Sequence, residues 1–188
     1  PMDLREPQPA TDDRRPAEAG RDALHQIVVV GGGAGGLELV TRLGDKLGRR
    51  GKAAVTLIDK KRTHLWKPLL HEVAAGSMDI GMHELDYLAQ AHWHGFRYRV
   101  GEMSGIDRQR RLVHVAPFSD EEGIIVTQRQ SLAYDTLVIA IGSLSNDFAT
   151  PGAKEYAILL ESQAEAERFH RRLVNACIRA HTQAEPLR

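Results

Sequence analysis

The feature that most constrains this sequence is a glycine-rich turn between an apolar run and a helical pattern. The β-branched run IVVV at residues 27–30 is typical of a buried strand, and GGGAGG follows it directly. Apolar residues then recur at the spacing of one helix face, at Leu37, Val40, Leu43 and Leu47. The stretch therefore predicts a strand, a tight turn and a helix that begins near Ala34.

Three glycines in this turn, Gly31-x-Gly33-x-x-Gly36, have the spacing of dinucleotide-binding sites. Gly31 would allow a sharp exit from the strand, Gly33 would leave room for a pyrophosphate, and Gly36 would let the helix lie close to the strand. The free N–H groups and positive dipole end of the helix would then face the phosphate charges. The simpler alternative is that residues 31–36 form only a flexible turn.

A second apolar run with an acidic end completes the pattern. Ala53–Ile58 (AAVTLI) predicts another strand, and Asp59 follows it about 20 residues after Gly36, as dinucleotide-binding units require. A carboxylate there can accept hydrogen bonds from the hydroxyl groups of a ribose. The sequence therefore predicts a β-α-β unit that binds a dinucleotide.

Composition is that of a globular protein and indicates neither a nucleic-acid partner nor a transmembrane segment. Of the 188 residues, 42% are hydrophobic and 27% are charged, which allows a packed core. Basic and acidic residues are equal in number, at 25 each, so nothing indicates a nucleic-acid partner. The single Cys177 cannot form an internal disulfide, which favours the cytoplasm. No apolar run approaches the ~20 residues that span a bilayer, so we expect no transmembrane segment, while attachment through a segment outside these residues stays open.

We divide the chain into three parts. Residues 1–24 are charged and rich in proline, and they predict a disordered leader, with a partner-binding arm as the alternative. Residues 25–161 predict an α/β domain with a Rossmann-like parallel sheet. Residues 162–188 predict a helix and a link that follows it.

The segment after Asp59 is unusually apolar for a loop. Thr63–Lys67 is predicted as loop, and Pro68 is predicted to start a short helix that runs through Ala75. Its large apolar residues are Leu65, Trp66, Leu69 and Leu70. We expect them to pack beneath a ligand or another domain.

A further helix and a further strand are predicted next. Met82–Trp93 has a helical pattern, with Leu85, Leu88 and Ala89 on one face, and is interpreted as the second crossover helix. Phe96–Val100 (FRYRV) alternates like a half-buried strand and should extend the parallel sheet.

Short strands then predict a small antiparallel meander. Its strands are Glu102–Ile106, Arg111–Val115 and Ile124–Gln128, separated by turn-like residues. Thr136–Ile141 (TLVIAI) predicts a final, fully apolar strand that ends at Gly142.

The last periodic segment predicts a helix over Ser162–Gln183. Ser162 and Glu165 form a capping-box pattern at its start. Its apolar stripe, in which Cys177 is predicted to be a packed residue, consists of Phe169, Leu173, Ala176, Cys177 and Ala180.

Four stretches together resemble the two-dinucleotide-binding-domain flavoproteins, and they are IVVVGGGAGG, VTLIDKKRTHLWKPLLHEVAAGSMD, GIDRQRRLVHV, and YDTLVIAIGS with the PGAKEYAILLES that follows. Within that superfamily, the chain is similar to the type II (non-proton-pumping) NADH:quinone oxidoreductases over roughly residues 26–188. The HLWKPLLHEVAAG segment is the most diagnostic of these enzymes.

The resemblance implies an α/β, Rossmann-like FAD/NAD(P)-binding fold with a small antiparallel meander as a crossover, incomplete relative to the family. It implies FAD rather than NAD at the first turn. Lys67 stands where relatives often have a glutamine. The implied cofactor-binding residues are Gly31, Gly33, Ala34 and Gly36 at the pyrophosphate, Asp59 with its neighbour Lys60 at the adenosine ribose, Lys67, Pro68, Leu69 and Leu70 at the isoalloxazine, Met103 at the adenine, and Ala140 and Gly142 in the second flavin motif.

The implied function is that of the FAD-binding portion of an enzyme that passes electrons from NADH through FAD to a quinone in the respiratory chain. Because that chemistry would belong to the flavin, no residue is named as catalytic. The family's second glycine fingerprint for NADH and its membrane-docking helices have no counterpart in these residues, so we expect them alone not to oxidise NADH.

A full-length protein is expected in the cytoplasm, peripheral at the cytoplasmic face of the membrane, and a homodimer is one assembly open to it. The alternative function is a catalytically inactive nucleotide-binding remnant, or a truncated form of such a flavoprotein.

Histidine and cysteine patterns favour no other chemistry. His92-x-His94 lacks the nearby cysteine or carboxylate pattern of a metal site, so no metal is predicted. His71 is interpreted as half of a surface pair with Glu72, with a place near the flavin or the quinone as the alternative. A lone Cys177 argues against the superfamily branches that use a cysteine pair.

Overall fold

The computed structural model describes residues 24–78 and 84–183. It contains two compact units: the described part of Pro1–His64 together with Asp86–Ile141, and the described parts of Leu65–Leu85 and Gly142–Arg188. The predicted leader lies outside the described residues except for Leu24, and the predicted division into three parts stays a prediction.

Strands and helices alternate through much of the chain. The strands are β1 (His25–Val30), β2 (Ala53–Asp59), β3 (Thr63–His64), β4 (Leu85–Asp86), β5 (Arg97–Val100), β6 (Met103–Asp107), β7 (Leu112–Val115), β8 (Phe118–Ser119), β9 (Ile125–Thr127), β10 (Gln130–Ala133) and β11 (Thr136–Ile139). The α-helices are α1 (Ala34–Leu43), α2 (Leu70–Ala75), α3 (Tyr87–His94), α4 (Ala153–Tyr156) and α5 (Gln163–Thr182), with a π-helical turn at Gly44–Gly48 and a 3-10 turn at Lys67–Leu69.

A parallel sheet in the order β11-β1-β2-β5 forms the centre of the first unit. Val29 of β1 pairs with Leu57 of β2 on one side and with Val138 of β11 on the other. Strands of a parallel sheet are covered on both faces, which explains why β1 and β2 are continuous apolar runs. The predicted α/β fold with a parallel sheet is confirmed.

Successive side chains of β1 enter two separate cores, because neighbouring residues of a strand point to opposite faces. Ile27 and Val29 pack with Leu37 and Val40 of α1 and with residues of α3. Val28 and Val30 pack instead in a cluster that contains Val113 and Val115 of β7. Helices thus cover one face of the sheet and the small antiparallel sheet covers the other.

The antiparallel meander is present, and the strand predicted at Ile124–Gln128 exists, but its placement in the meander is wrong. Its strand order is β10-β7-β6, whereas the predicted strand Ile124–Gln128 corresponds to β9, which pairs with β8. A tight turn explains this local pairing: the Asp120 carboxylate accepts from the N–H groups of Glu122 and Ile124, and Gly123 adopts φ +82°. Leu132 of β10, not a residue of β9, packs against the core of the first unit.

The helix predicted over Met82–Trp93 is shorter, and its buried residues are not those of the apolar face seen in the sequence. Asp86 caps α3 by accepting from the N–H of Ala89 at 2.9 Å, so the helix begins at Tyr87. Leu88 is 59% exposed, while Tyr87 and Ala91 are buried. Met82 lies outside the described residues.

The core of the second unit is a small cluster between α2 and α5. It consists of Leu70, Val73 and Ala74 from α2 and Ala166 from α5, with Leu65 and Met78 packed against it. The predicted loop at Thr63–Lys67 includes the short strand β3, which belongs to the first unit, and the first residue of the 3-10 turn.

The capping box of α5 is confirmed, but its packed stripe is not. Ser162 Oγ accepts from the N–H of Glu165 at 3.4 Å, and the Glu165 carboxylate accepts in return from Ser162 Oγ at 3.1 Å. Cys177, predicted to be packed, is exposed, as are Phe169 and Leu173. Among the described residues of α5, only Ala166 is buried, because only the first turns of this helix meet α2.

Truncation of Leu57 tests the core of the sheet. Leu57 is fully buried in β2, so we expect Leu57→Ala to lower the free energy of unfolding by about 2–5 kcal/mol in guanidinium titrations. Leu88→Ala serves as the matched control, because Leu88 is exposed on α3, and its effect should stay within about 0.5 kcal/mol. Equal effects of the two substitutions would contradict this core.

Candidate dinucleotide-binding site

Gly31 lies where β1 leaves the sheet, and the surrounding backbone requires a glycine there. Its N–H donates to Ile58 O of β2 at 2.8 Å, and its φ is +102°, a region that other residues rarely adopt. A Cβ at this position would lie 2.5 Å from Ala140 O. The sharp exit predicted for Gly31 is confirmed.

Gly36 lies in the first turn of α1, directly against this exit. A Cβ there would collide with Gly31 O and would lie 3.3 Å from the Cβ of Ala140. The helix can approach the strand this closely only because Gly36 has no side chain and Ala140 has a small one. The close helix packing predicted from Gly36 is confirmed.

Gly33 differs from both, because no protein atom requires a glycine there. A Cβ added to Gly33 would meet nothing within 4 Å, and its φ of −61° and ψ of −176° are open to any residue. Gly33 and Ala34 are exposed, while Gly32 is buried beneath them. Gly33 is the N-cap of α1, so the space above it faces the first N–H groups of a helix, which suit a phosphate.

Asp59, at the end of β2, contacts the same turn. Its Oδ2 accepts from the N–H of Gly32 at 2.6 Å, and its Oδ1 accepts from the N–H of Lys61 at 2.8 Å. An ionised carboxylate offers about four acceptor positions, so these two bonds leave room for ribose hydroxyl groups. Lys60 is exposed, and its Nζ lies 3.5 Å from Glu102 Oε1.

Two buried tyrosines that the sequence reasoning missed hold the backbone around Asp59. Tyr87 Oη donates to Gly32 O at 2.6 Å, and Tyr98 Oη donates to Lys61 O at 2.5 Å. Burial raises the pKa of both phenols, and the negative charge of Asp59 raises each pKa further, so both hydroxyls stay protonated. The alternating FRYRV pattern could have indicated Tyr98 as inward-facing, whereas the apolar face of the helical pattern, with Leu85, Leu88 and Ala89, does not include Tyr87.

Met103 is the first residue of β6, and Ala140 directly follows β11. The Met103 side chain packs against the core cluster that contains Val28 and Val113, just after Gly101, whose N–H donates to Asp59 O at 2.9 Å. Ala140 donates its N–H to Val30 O at 2.7 Å. The first unit therefore brings Gly31, Gly33, Ala34, Gly36, Asp59 and Ala140 together around one turn.

The remaining predicted site residues belong to the second unit. Lys67 and Pro68 are exposed, Leu69 is half-buried, and Leu70 is buried in the cluster between α2 and α5. Gly142 is exposed and directly precedes Ser143.

A lysine-carboxylate pair organises this part of the second unit. Lys67 Nζ donates to Glu161 Oε2 at 2.6 Å and to Ser143 O at 2.9 Å, and the N–H of Ser145 donates to Glu161 Oε1 at 2.5 Å. These bonds, from Lys67 first and Ser145 second, lower the pKa of Glu161 to about 2. The carboxylate therefore stays ionised and ties Lys67 to residues 143–145.

The histidines form no metal site within the described ranges. His71 lies 4.0 Å from Glu72 at the surface, as predicted for a surface pair. His94 Nδ1 lies 3.0 Å from Asp45 Oδ2, so this ring has a structural partner. None of the helices within residues 24–78 and 84–183 is both long and apolar enough to cross a bilayer.

A family model described as pyridine nucleotide-disulphide oxidoreductase matches residues 25–181. The chain belongs to the pyridine nucleotide-disulphide oxidoreductase family. Over 151 residues it is 48% identical to a type II NADH:quinone oxidoreductase of Haemophilus influenzae, covering 80% of this chain and 34% of that protein. The chain thus spans about a third of the length of the curated relatives it matches.

Solved structures of NDH2 from Plasmodium falciparum share the fold of this family member. One, in complex with RYL-552, has a TM-score of 0.69 at 19% identity, covering 87% of this chain and 31% of that one. A second, in complex with NADH, has a TM-score of 0.67 at 18% identity with the same coverage.

Alanine substitutions separate the glycines that the fold needs from the one that it does not. We expect Gly36→Ala to destabilise the chain by about 1–3 kcal/mol or more, because the added methyl group collides with the backbone. Gly33→Ala should change stability by less than about 1 kcal/mol, because the folded chain has space for the methyl group, and the lost freedom of the unfolded chain offsets the poorer N-cap that alanine makes. Guanidinium titrations measure both, and a large loss of stability in Gly33→Ala would contradict this account.

The Glu161 carboxylate should make stability depend on pH in a defined window. Because its folded pKa of about 2 lies below the ordinary 4.5, its stabilising effect is complete above about pH 4.5 and is lost as pH falls toward 2. The difference in melting temperature between the unmodified chain and Glu161→Gln should therefore shrink across that window. In a Lys67→Met background the same substitution should have a smaller effect, because the main partner is gone. A difference independent of both pH and Lys67 would contradict this role.

Proposed function

We propose that this chain binds FAD at the β1–α1 turn and forms the flavin-binding part of a type II NADH:quinone oxidoreductase. The observation that carries the proposal is the open space above Gly33, which the fold itself does not require. A glycine that no protein atom demands, at the exposed start of a helix, is explained by the close approach of a ligand phosphate.

The residues around the turn suit the adenosine diphosphate half of FAD. Gly31 and Gly36 set the geometry, Gly33 and Ala34 would face the pyrophosphate, and Asp59 would accept from the ribose hydroxyl groups. Two acceptor positions of the carboxylate are already occupied by backbone N–H groups, which hold it in place before a ligand arrives. Lys60 and the backbone at Met103 would border the ribose and the adenine.

The residues proposed for the flavin half of FAD are those that the family resemblance implies. Lys67, Pro68, Leu69 and Leu70 would approach the isoalloxazine, together with the Ala140 and Gly142 backbone. Lys67 Nζ donates to Glu161 and to Ser143 O, and these bonds hold its ammonium group in place within the second unit. Leu70 is buried, so its contribution would be to anchor the 3-10 turn at Lys67–Leu69 to the core between α2 and α5.

The flavin, when bound, supplies hydride and electron transfer, and the protein binds and orients it. No acid or base from this chain is required for hydride transfer, so we assign no catalytic residue. NADH and a quinone are the proposed substrates of the complete enzyme, which the 48% identity to the Haemophilus influenzae protein supports. We propose the cytoplasmic face of the membrane as its place of action.

Uptake of FAD by the purified chain tests this proposal directly. We expect the chain to bind FAD with flavin absorption bands in its visible spectrum, and Gly33→Ala to lose binding by at least about tenfold while staying folded. Gly35→Ala is the matched control, because Gly35 also has open space around it but lies outside the three-glycine spacing.

FAD binding, the inactive-remnant alternative and NADH binding at this turn predict different spectra and titrations. A chain that stays colourless and takes up no added FAD would contradict the proposal and favour the inactive-remnant alternative. A chain that binds NADH but not FAD in parallel calorimetric titrations would contradict the assignment of FAD to this turn.

A further inference from the structure

Tyr87 makes the most specific contact to the glycine-rich turn from outside it. Its ring belongs to α3, far from the turn in sequence, and its side chain is 2% exposed. Its hydroxyl donates to Gly32 O at 2.6 Å. A buried carbonyl that loses its donor is costly, so this bond constrains the turn.

The direction of this carbonyl decides the direction of the next N–H. The described peptide bonds are trans, so the carbonyl of Gly32 and the N–H of Gly33 point to opposite sides of one planar group. With the carbonyl drawn inward to Tyr87, the N–H of Gly33 points outward, toward the open space above this exposed residue.

The peptide group before Gly32 is fixed as well. The N–H of Gly32 donates to Asp59 Oδ2 at 2.6 Å, so two side chains from two different elements hold the peptides on either side of this residue. A side chain at Gly32 would collide with the Tyr87 hydroxyl, which explains the second glycine in GGGAGG without reference to a ligand. Burial raises the pKa of the Tyr87 phenol above its ordinary value, so the hydroxyl is protonated and can donate at neutral pH.

We propose that Tyr87 is a positioning residue for dinucleotide binding: its hydroxyl holds the Gly32–Gly33 peptide so that the Gly33 N–H faces the diphosphate of the ligand. This inference rests on the proposed function, because it assigns the ligand of the turn to the dinucleotide class. It adds a residue from α3 to a site otherwise formed by the ends of β1 and β2 and the start of α1.

Tyr87→Phe tests this role, since it removes the hydroxyl and keeps the ring. We expect the Kd for FAD to rise on the order of tenfold, which is the effect of one lost hydrogen bond that orders the site. Tyr134→Phe is the matched control. Tyr134 is also a tyrosine of the first unit, but it packs against the cluster that contains Val28 and Val113, whereas Tyr87 packs with Ile27 and Val29 on the other face of the sheet. The Kd of Tyr134→Phe should stay within about twofold of the unmodified chain.

Two NMR measurements separate positioning from general packing. In the ligand-free chain, the Gly33 amide resonance should shift in Tyr87→Phe and stay in place in Tyr134→Phe. In the FAD complex, the phosphorus resonances of the pyrophosphate should shift in Tyr87→Phe alone. Equal weakening by both substitutions, or FAD binding in Tyr87→Phe equal to that of the unmodified chain, overturns the inference.

The unmodified chain supplies a test if Tyr87→Phe fails to fold. Bound FAD should then slow hydrogen exchange of the Gly33 amide, and unchanged exchange at Gly33 in the complex overturns the inference. If the unmodified chain takes up no FAD, ADP, which carries the same diphosphate, replaces it as the probe. A Gly33 amide that responds to ADP supports the role of Tyr87 while contradicting the FAD proposal, and one that responds to neither ligand overturns both.

Discussion

The contact between the start of α1 and the exit of β1 is the constraint on which this site depends. Gly36 lies against Gly31 O, and the Ala140 side chain lies beside it, so three small residues allow a helix, a strand end and a neighbouring strand end to meet. A methyl group at Gly31 or Gly36 would collide with backbone atoms that cannot move without moving the sheet. This close packing brings the first N–H groups of α1 to the edge of the sheet.

The parallel arrangement then determines which other groups reach that edge. Carboxyl ends of parallel strands lie on the same side of a sheet, and β1 has β2 on one side and β11 on the other. Asp59 is the last residue of β2 and Ala140 follows β11, so both lie at the turn because of the sheet topology and not because of sequence proximity. In open α/β sheets, ligands bind outside the carboxyl ends where the strand order reverses, and the Gly31 turn occupies that place.

Electrostatically, the turn is ordered by the protein and still able to accept a charged ligand. The Asp59 carboxylate accepts from the N–H of Gly32, and the Tyr87 hydroxyl donates to its carbonyl. Gly33 and Ala34 stay exposed. The inward groups are paired because a buried polar group without a partner is unfavourable, and the outward groups can remain in water until a phosphate replaces it. In the second unit, the exposed Lys67 is also paired: its ammonium group donates to the ionised carboxylate of Glu161.

Local patterns determined much of this protein: the β1–α1–β2 unit, the ends of β2 and α2, the capping of α5, and the spacing of the three glycines all follow from residues close together in sequence. Tertiary structure alone decided the rest. Only the folded chain places β10 beside β7 and leaves β9 to pair with β8, and it turns Tyr87 of α3 inward, where Gly32 O accepts from its hydroxyl. Cys177 stayed exposed because α2 meets only the first turns of α5. A period in the sequence shows that a helix has an apolar face, but which groups are buried depends on partners that only the folded chain brings together.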